Sequence, residues 1–277
     1  MKRFCRIWMV LLLCLTVPGE SLASTLQPQT LRAWDAYVAA TEKRIASELD
    51  GSAGFLRIDF MSPSDKAKAT AALKNGQVYV LKMRTTDANQ REIDVPDGLI
   101  HHWFGAIFIP NVSSQALIRA IQDYDHHTQY FKEVEQSKLV SREGDTFKIF
   151  LRLMRKKVVT VRYNTDHTVI YRTHDNSRIS SRSFTTKIAE LDAAGTATEK
   201  EKPVGDDSGY FWRLNSYWRF KEQDGGVVVE CESISLSRSI PFGLGWLIKG
   251  FVESVPRESL ESTMTAIRDG VAASIRK

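Results

Sequence analysis

Six histidines, one cysteine outside the N-terminal segment and a few charges on apolar strands are the groups through which this 277-residue chain could do chemistry. His101 and His102 are adjacent in a stretch that reads as a strand, so one imidazole points inward and the other outward, and the two do not converge on one ion. Asp123 and His127, four apart, share a face of a helix but lack the third ligand that a zinc site takes. His167 and His174 fall in or beside turns and read as surface polar groups. Cys231 has no base near it in sequence, and a neutral thiol is a poor nucleophile, so it reads as a small strand residue packed in a sheet. Gly243-Leu-Gly-Trp-Leu-Ile carries two of the three glycines of a dinucleotide fingerprint. Ile248 stands where the third belongs, and no βαβ unit surrounds it. The sequence contains no Gly-x-Ser-x-Gly elbow, His-Glu-x-x-His pair or P-loop. No catalytic residue, metal ligand or cofactor is assigned.

Three charged residues on strands are polar cavity candidates. Arg152 alternates with Phe150 and Met154. Arg219 and Glu230 lie on the two arms of a hairpin signalled by Asp224-Gly225-Gly226, residues that tolerate the positive φ of such a turn. Enclosed in an apolar cavity, such a charge needs a partner and can bind a ligand headgroup or carboxylate; facing solvent it does nothing special.

The elements that must position these groups follow a composition of 43% hydrophobic and 26% charged residues, which describes a globular chain and excludes disordered, collagenous and disulfide-scaffold classes. Residues 1–23 read as a cleaved secretory signal: Lys2, Arg3 and Arg6, an apolar run from Ile7 to Leu15, and Ser21-Leu22-Ala23 before the cut. Removing Lys2, Arg3, Arg6 and Glu20 lowers the net charge from +5 to +3. No basic run then resembles a nucleic-acid footprint. Cys5 and Cys14 leave as well, so Cys231 remains without a disulfide partner and the fold must rest on its core. The expected location is the periplasm or the extracellular medium.

Periodicity predicts a helix from Pro28 to Asp50, a short strand over Phe55–Phe60, a small helix over Asp65–Leu73 and a strand over Gln77–Met83. Then come a strand over Leu99–Ile109 and a helix capped by Asn111 or Ser113, running out near His127. Closely spaced strands follow at Lys132–Ser141, Thr146–Met154, Val158–Tyr163, His167–Thr173 and Arg178–Leu191. A polar loop spans Asp192–Asp207, and the hairpin arms run from Gly209 to Phe220 and from Gly226 to Leu236. A glycine-rich apolar loop with Phe242, Leu244, Trp246, Leu247 and Phe251 precedes a long helix from Pro256 to Ile275. Leu260, Met264, Ile267, Val271 and Ile275 form an apolar stripe on that helix. Spacings this short leave no room for crossover helices, so the strands pair antiparallel in an α+β plan with helices on one face of one sheet. Residues 24–94 read as an N-terminal extension and 95–277 as the main domain.

The order of Val95–Pro110, the helix with Gln122-Asp-Tyr-Asp125, the Trp218-Arg-Phe hairpin and Ser237-Arg-Ser-Ile-Pro241 before the last helix resembles the START-like, helix-grip (SRPBCC) superfamily. That resemblance implies a curved antiparallel sheet wrapped around the C-terminal helix, with an apolar cavity between them that binds a hydrophobic small molecule or lipid without covalent chemistry. Trp103, Tyr217, Trp218, Trp246, Phe251, Met264 and Ile267 are the lining candidates. The glycine-rich loop resembles part of a gate that admits a ligand or touches a membrane surface. Two alternatives stand beside this reading: an enzyme of the same fold (cyclase, dehydratase or hydrolase) using a cavity acid–base residue, and a protein-interaction or envelope factor with a filled interior.

Overall fold

The computed structural model describes residues 24–156, 160–239 and 245–275, and the backbone alone at Ser24 and over 245–253. The leader segment, with Phe242 and Leu244, lies outside the described residues.

Eleven strands are described: β1 (Ser24–Thr25), β2 (Tyr79–Lys82), β3 (Gly98–Pro110), β4 (Val134–Glu143), β5 (Thr146–Lys156), β6 (Thr160–Thr173), β7 (Arg178–Asp192), β8 (Lys200–Glu201), β9 (Asp206–Asp207), β10 (Arg213–Gln223) and β11 (Gly226–Arg238). The main sheet runs β2-β3-β11-β10-β7-β6-β5-β4, antiparallel throughout, with β8 on β7; β1 pairs with β9 separately. Asp224 (φ 53°) and Gly225 (φ 75°) make the β10–β11 turn that the sequence signals.

Helix α1 (Pro28–Asp50) starts at a proline, whose absent N–H is not missed in a first turn. Helices α2 (Pro63–Lys74) and α3 (Ser114–Ile121) are capped by Ser62 and Ser113, whose hydroxyls accept from Asp65 N–H and Ala116 N–H. Helix α4 (Gly245–Ala266) continues through a π turn, Ile267–Val271, into α5 (Ala272–Ile275).

The curved sheet closes on α4 at Gly105. A Cβ on that glycine would lie 3.1 Å from Leu260 Cδ2 and 3.3 Å from Met264 Cε, so the helix rests on the backbone of β3. This contact fixes the two faces. Gly105 stands opposite Cys231, Cys231 opposite Trp218, Trp218 opposite Ser181 and Ser181 opposite Tyr171, so all five face α4 on the concave side. Towards one end that side is aliphatic and aromatic. Ile107, Ile109, Val229, Phe220, Ile179 and Phe147 pack there with Leu260, Met264, Ile267 and Val271 in one core. This is the helix-grip arrangement.

The convex side is covered as well. Trp34, Tyr37, Val38 and Ile45 of α1 pack on Tyr217, Ile234 and Leu236, and Phe55 and Leu56 pack on Val228. Helices on one face was therefore wrong: the sheet lies between α4 inside and α1 outside. Three other expectations change. Phe55–Phe60 contains a 3-10 turn (Arg57–Phe60), not a strand, because carboxylates take its N–H groups: Asp59 Oδ2 accepts from Phe55 and Leu56, and Glu230 from Arg57 and Ile58. The strands expected at Val158–Tyr163 and His167–Thr173 are one from Thr160 onward, β6, irregular in its pairing with β7 between Asp166 and His167, while 158–159 lie outside the described residues. The last helix begins at Gly245 and runs through Pro256, so Trp246 and Phe251 lie on helical backbone and not in a loop. Their side chains are outside the described residues.

Candidate binding groove

Away from the core, the concave side changes character. In one row across the sheet stand Val169, Ser183, Ser216, Ser233, Trp103 and Lys82; in the next stand Ile149, His167, Thr185, Leu214, Ser235 and His101. In the first row all three middle strands carry serine where a core would place large apolar side chains, and in the second Leu214 is flanked by Thr185 and Ser235. The indoles of Trp103 and Trp218 border this strip, Trp218 stacking on Phe220 at 6.1 Å between ring centroids and donating from Nε1 to Ser216 Oγ at 3.1 Å. Lys82 Nζ lies 6.0 Å from the Trp103 ring centre. Lys82, Leu99, Ile100, His101 and Trp103 line a cleft of about 20 Å³ at the β3 edge, the volume of one water.

Apart from Lys82 at the edge and the two imidazoles, the polar groups of this strip are hydroxyls. Thr165 Oγ1 donates to Leu151 O at 2.9 Å, so its contact with His167 Nε2, also 2.9 Å, must be donated by the imidazole, leaving Nδ1 an acceptor. Burial pushes the His167 pKa down to about 4, so the ring is uncharged at neutral pH. His101 Nε2 meets Ser237 Oγ at 2.9 Å. The Tyr163 hydroxyl is buried without a hydrogen-bond partner. Cys231 is buried beside Gly105, and burial drives its thiol pKa upward, away from nucleophilic use.

Of the lining candidates, Trp103, Trp218, Met264 and Ile267 face the concave side, the last two inside the packed core. Tyr217 does not: its strand neighbours point it at α1, where its hydroxyl donates to Glu42 Oε1 at 2.8 Å. The three charges also leave the cavity list. Arg152 is on the convex side, bonded to Asn164 at 3.0 Å and Glu199 at 2.8 Å. Arg219 is buried under α1 and Glu230 under the 3-10 turn at Arg57–Phe60, from whose first two N–H groups it accepts. Glu48 bonds Arg219 at 2.5 Å, Arg44 at 2.9 Å and Arg57 at 3.1 Å; Arg44 also reaches Glu232; His102 bridges Glu232 and Tyr37 at 2.8 Å each. Burial, opposed by Arg219, raises the Glu230 pKa to about 7. This network fastens the extension to the back of the sheet.

Sequence reading missed His167 and the hydroxyl strip. His167 is a mid-strand residue, not a turn residue, because β6 is unbroken. The signal was Ser233-Ile-Ser-Leu-Ser237, whose alternation marks two faces without saying which is the groove. Asp123 and His127 do not converge: a 3-10 turn (Tyr124–Gln129) puts His126 on Asp123 at 2.8 Å, and His127 donates to Ile121 O. Among the described residues no group of three His, Cys, Asp or Glu side chains is placed to hold a metal ion.

Fold and groove thus define a helix-grip protein with an added helix over its back. No protein-family model matches the sequence, and no curated protein does. Solved structures of low sequence identity are similar over part of the chain. TTHA0849 from Thermus thermophilus is 18% identical over 64% of this chain and 98% of its own (TM-score 0.43). A STAR-related lipid transfer protein from Xanthomonas axonopodis is 16% identical over 66% and 96% (TM-score 0.44). The Zhui aromatase/cyclase from Streptomyces sp. R1128 is 9% identical over 64% and 97% (TM-score 0.43).

Proposed function

We propose that this protein is exported and binds a hydrophobic small molecule or lipid, without covalent chemistry, between the hydroxyl strip of its sheet and the first half of α4. The observation that carries this reading is the row Ser183–Ser216–Ser233 beside Trp103 and Trp218. Three small side chains in the middle of a concave sheet take up less room than the large apolar ones that otherwise fill a protein interior at crystal-like density. Indoles supply apolar contact, and each ligand CH₂ withdrawn from water contributes about 0.8 kcal/mol. The hydroxyls of the middle strands suit a ligand with hydroxyl or carbonyl groups, and Lys82 at the sheet edge adds one cation. Binding agrees with the printed description of the Xanthomonas protein as a lipid transfer protein. Export draws on the leader, and contact with a membrane surface on the apolar residues of 242–251. Among the described residues no helix is long and apolar enough to cross a membrane.

The packed interior under Leu260–Ala272 favours one rival, an interaction factor with a filled core. Native mass spectrometry of the protein purified from its own host, followed by organic extraction, separates the two. A stoichiometric apolar molecule supports binding. A protein that arrives empty and takes up none of a panel of fatty acids, phospholipids and sterols moves the assignment to the interaction reading.

A further inference from the structure

The start of the described chain is held by a carboxylate that is one partner short. Ser24 in β1 stands opposite Asp207 in β9, Thr25 stands opposite Asp206, and Leu26 N–H donates to Gly205 O at 2.7 Å. Asp207 is 3% exposed. Its Oδ1 accepts from Gly209 N–H at 2.6 Å and from Trp212 Nε1–H at 3.0 Å, while its Oδ2 is buried with no hydrogen-bond partner. The neighbouring acid, Glu190, is also buried and draws Lys202 Nζ to itself at 2.5 Å. Two acids thus share one lysine, and the Tyr163 hydroxyl, which feels both acids, adds no charge. Leaving a carboxylate oxygen buried and unpaired is costly unless a cation or donor reaches it.

Ser24 is also the residue that follows the Ser21-Leu22-Ala23 cleavage signal. We infer that Ser24 is the mature N-terminus and that its α-ammonium is the cation that pairs with Asp207 Oδ2. Hydrolysis of the 23–24 peptide bond by a signal peptidase, with water as co-reactant, leaves a carboxylate on Ala23 and an amine on Ser24, which takes up a proton. Before cleavage that nitrogen is a neutral amide; afterwards it carries the charge the site lacks. Directly opposed residues of an antiparallel pair have Cα atoms about 4.5–5.5 Å apart, a span that an ammonium one bond from its Cα and a carboxylate two bonds from its own can bridge. Processing then fastens the segment 205–207 to the new N-terminus. The inference rests on the export part of the proposed function.

Its test has two arms. The full chain, leader included, is produced in an exporting bacterial host, and the N-terminus is read by intact mass; Ser24 is expected, and any other start overturns the processing site together with the export reading. Thermal unfolding is then compared for the mature protein starting at Ser24 and for the same protein preceded by Gly-Ser, each with Asp207 and with Asp207→Asn. The two added residues should lower Tm by about 5 °C in the Asp207 protein and leave the Asn variant unchanged. Equal shifts in both backgrounds, or none, overturn the ion pair and leave export and groove standing. Should the Asn variant not fold, NMR titration of the Ser24 amine decides: a pKa above about 9 is expected, and the ordinary range of about 7.7–8.0 overturns the pair.

Discussion

Replacing Glu48 by Gln should unfasten the N-terminal extension at a cost of about 3–5 kcal/mol, the loss found when one partner of a buried ion pair is removed. The structure supports the upper part of that range. Glu48 meets three guanidinium groups, and its side chain and that of Arg219 are 7% and 4% exposed. Without it Arg219 keeps, among the described residues, one hydrogen bond, to the Phe55 carbonyl at 2.9 Å, and Arg57 keeps an Nε already buried without a partner. For a chain of this size the loss lowers Tm by roughly 10 °C. Urea unfolding measures it without the charge screening that guanidinium introduces. The double variant Glu48→Leu with Arg219→Met should recover most of the loss, because apolar side chains of similar volume carry no desolvation penalty. Uptake of a hydrophobic probe should survive in that double variant, since the network lies behind the sheet. A single-variant loss under about 1 kcal/mol, or a double variant as unstable as the summed singles, would refute the reasoning; loss of uptake by a stable double variant would return Arg219 to the ligand site.

Three further outcomes are expected. Glu230, with a folded pKa of about 7 against an ordinary 4.5, keeps a proton in the folded chain that the unfolded chain has lost between those values, so its contribution makes stability fall as pH rises through that window and level off above it. Glu230→Gln should flatten that fall, and parallel pH–stability profiles for the two proteins would contradict it. Met264→Ala, at a site with 0% exposure under Gly105, should cost about 2–5 kcal/mol in urea unfolding; a loss below about 1 kcal/mol would mean that α4 does not grip the sheet there. Ser233→Leu, which fills the half-buried strip beside Trp103, should lower probe affinity about tenfold with little change in Tm, and unchanged affinity would place the ligand elsewhere.

Much of the fold was legible because its signals are local. The Asp224-Gly225 turn, the Ser113 cap, the proline start of α1 and the alternation of β3 each depend on a few neighbouring residues. The errors share one cause. Phe55–Phe60 alternates like a strand, but its N–H groups are taken by Asp59 and by Glu230, and Glu230 lies about 170 residues away in sequence. Pro256 reads as a helix start, yet α4 already exists eleven residues earlier.

By itself the sequence determined most of the element order, the antiparallel pairing forced by short connections, and the fact that Arg219 and Trp218 must point to opposite faces, since successive strand residues always do. Only the tertiary structure decided which face is which. Alternation is symmetric under exchange of the two sides of a sheet, and the usual tie-breaker, that the apolar face is the buried one, fails when both are buried. Here α1 covers the back, so Ile234 and Leu236 pack outward on Trp34 and Tyr37 while Ser233 and Ser235 turn into the groove. Charges that looked like ligand anchors became the fastening of the extension, and the serines came to lie on the concave side.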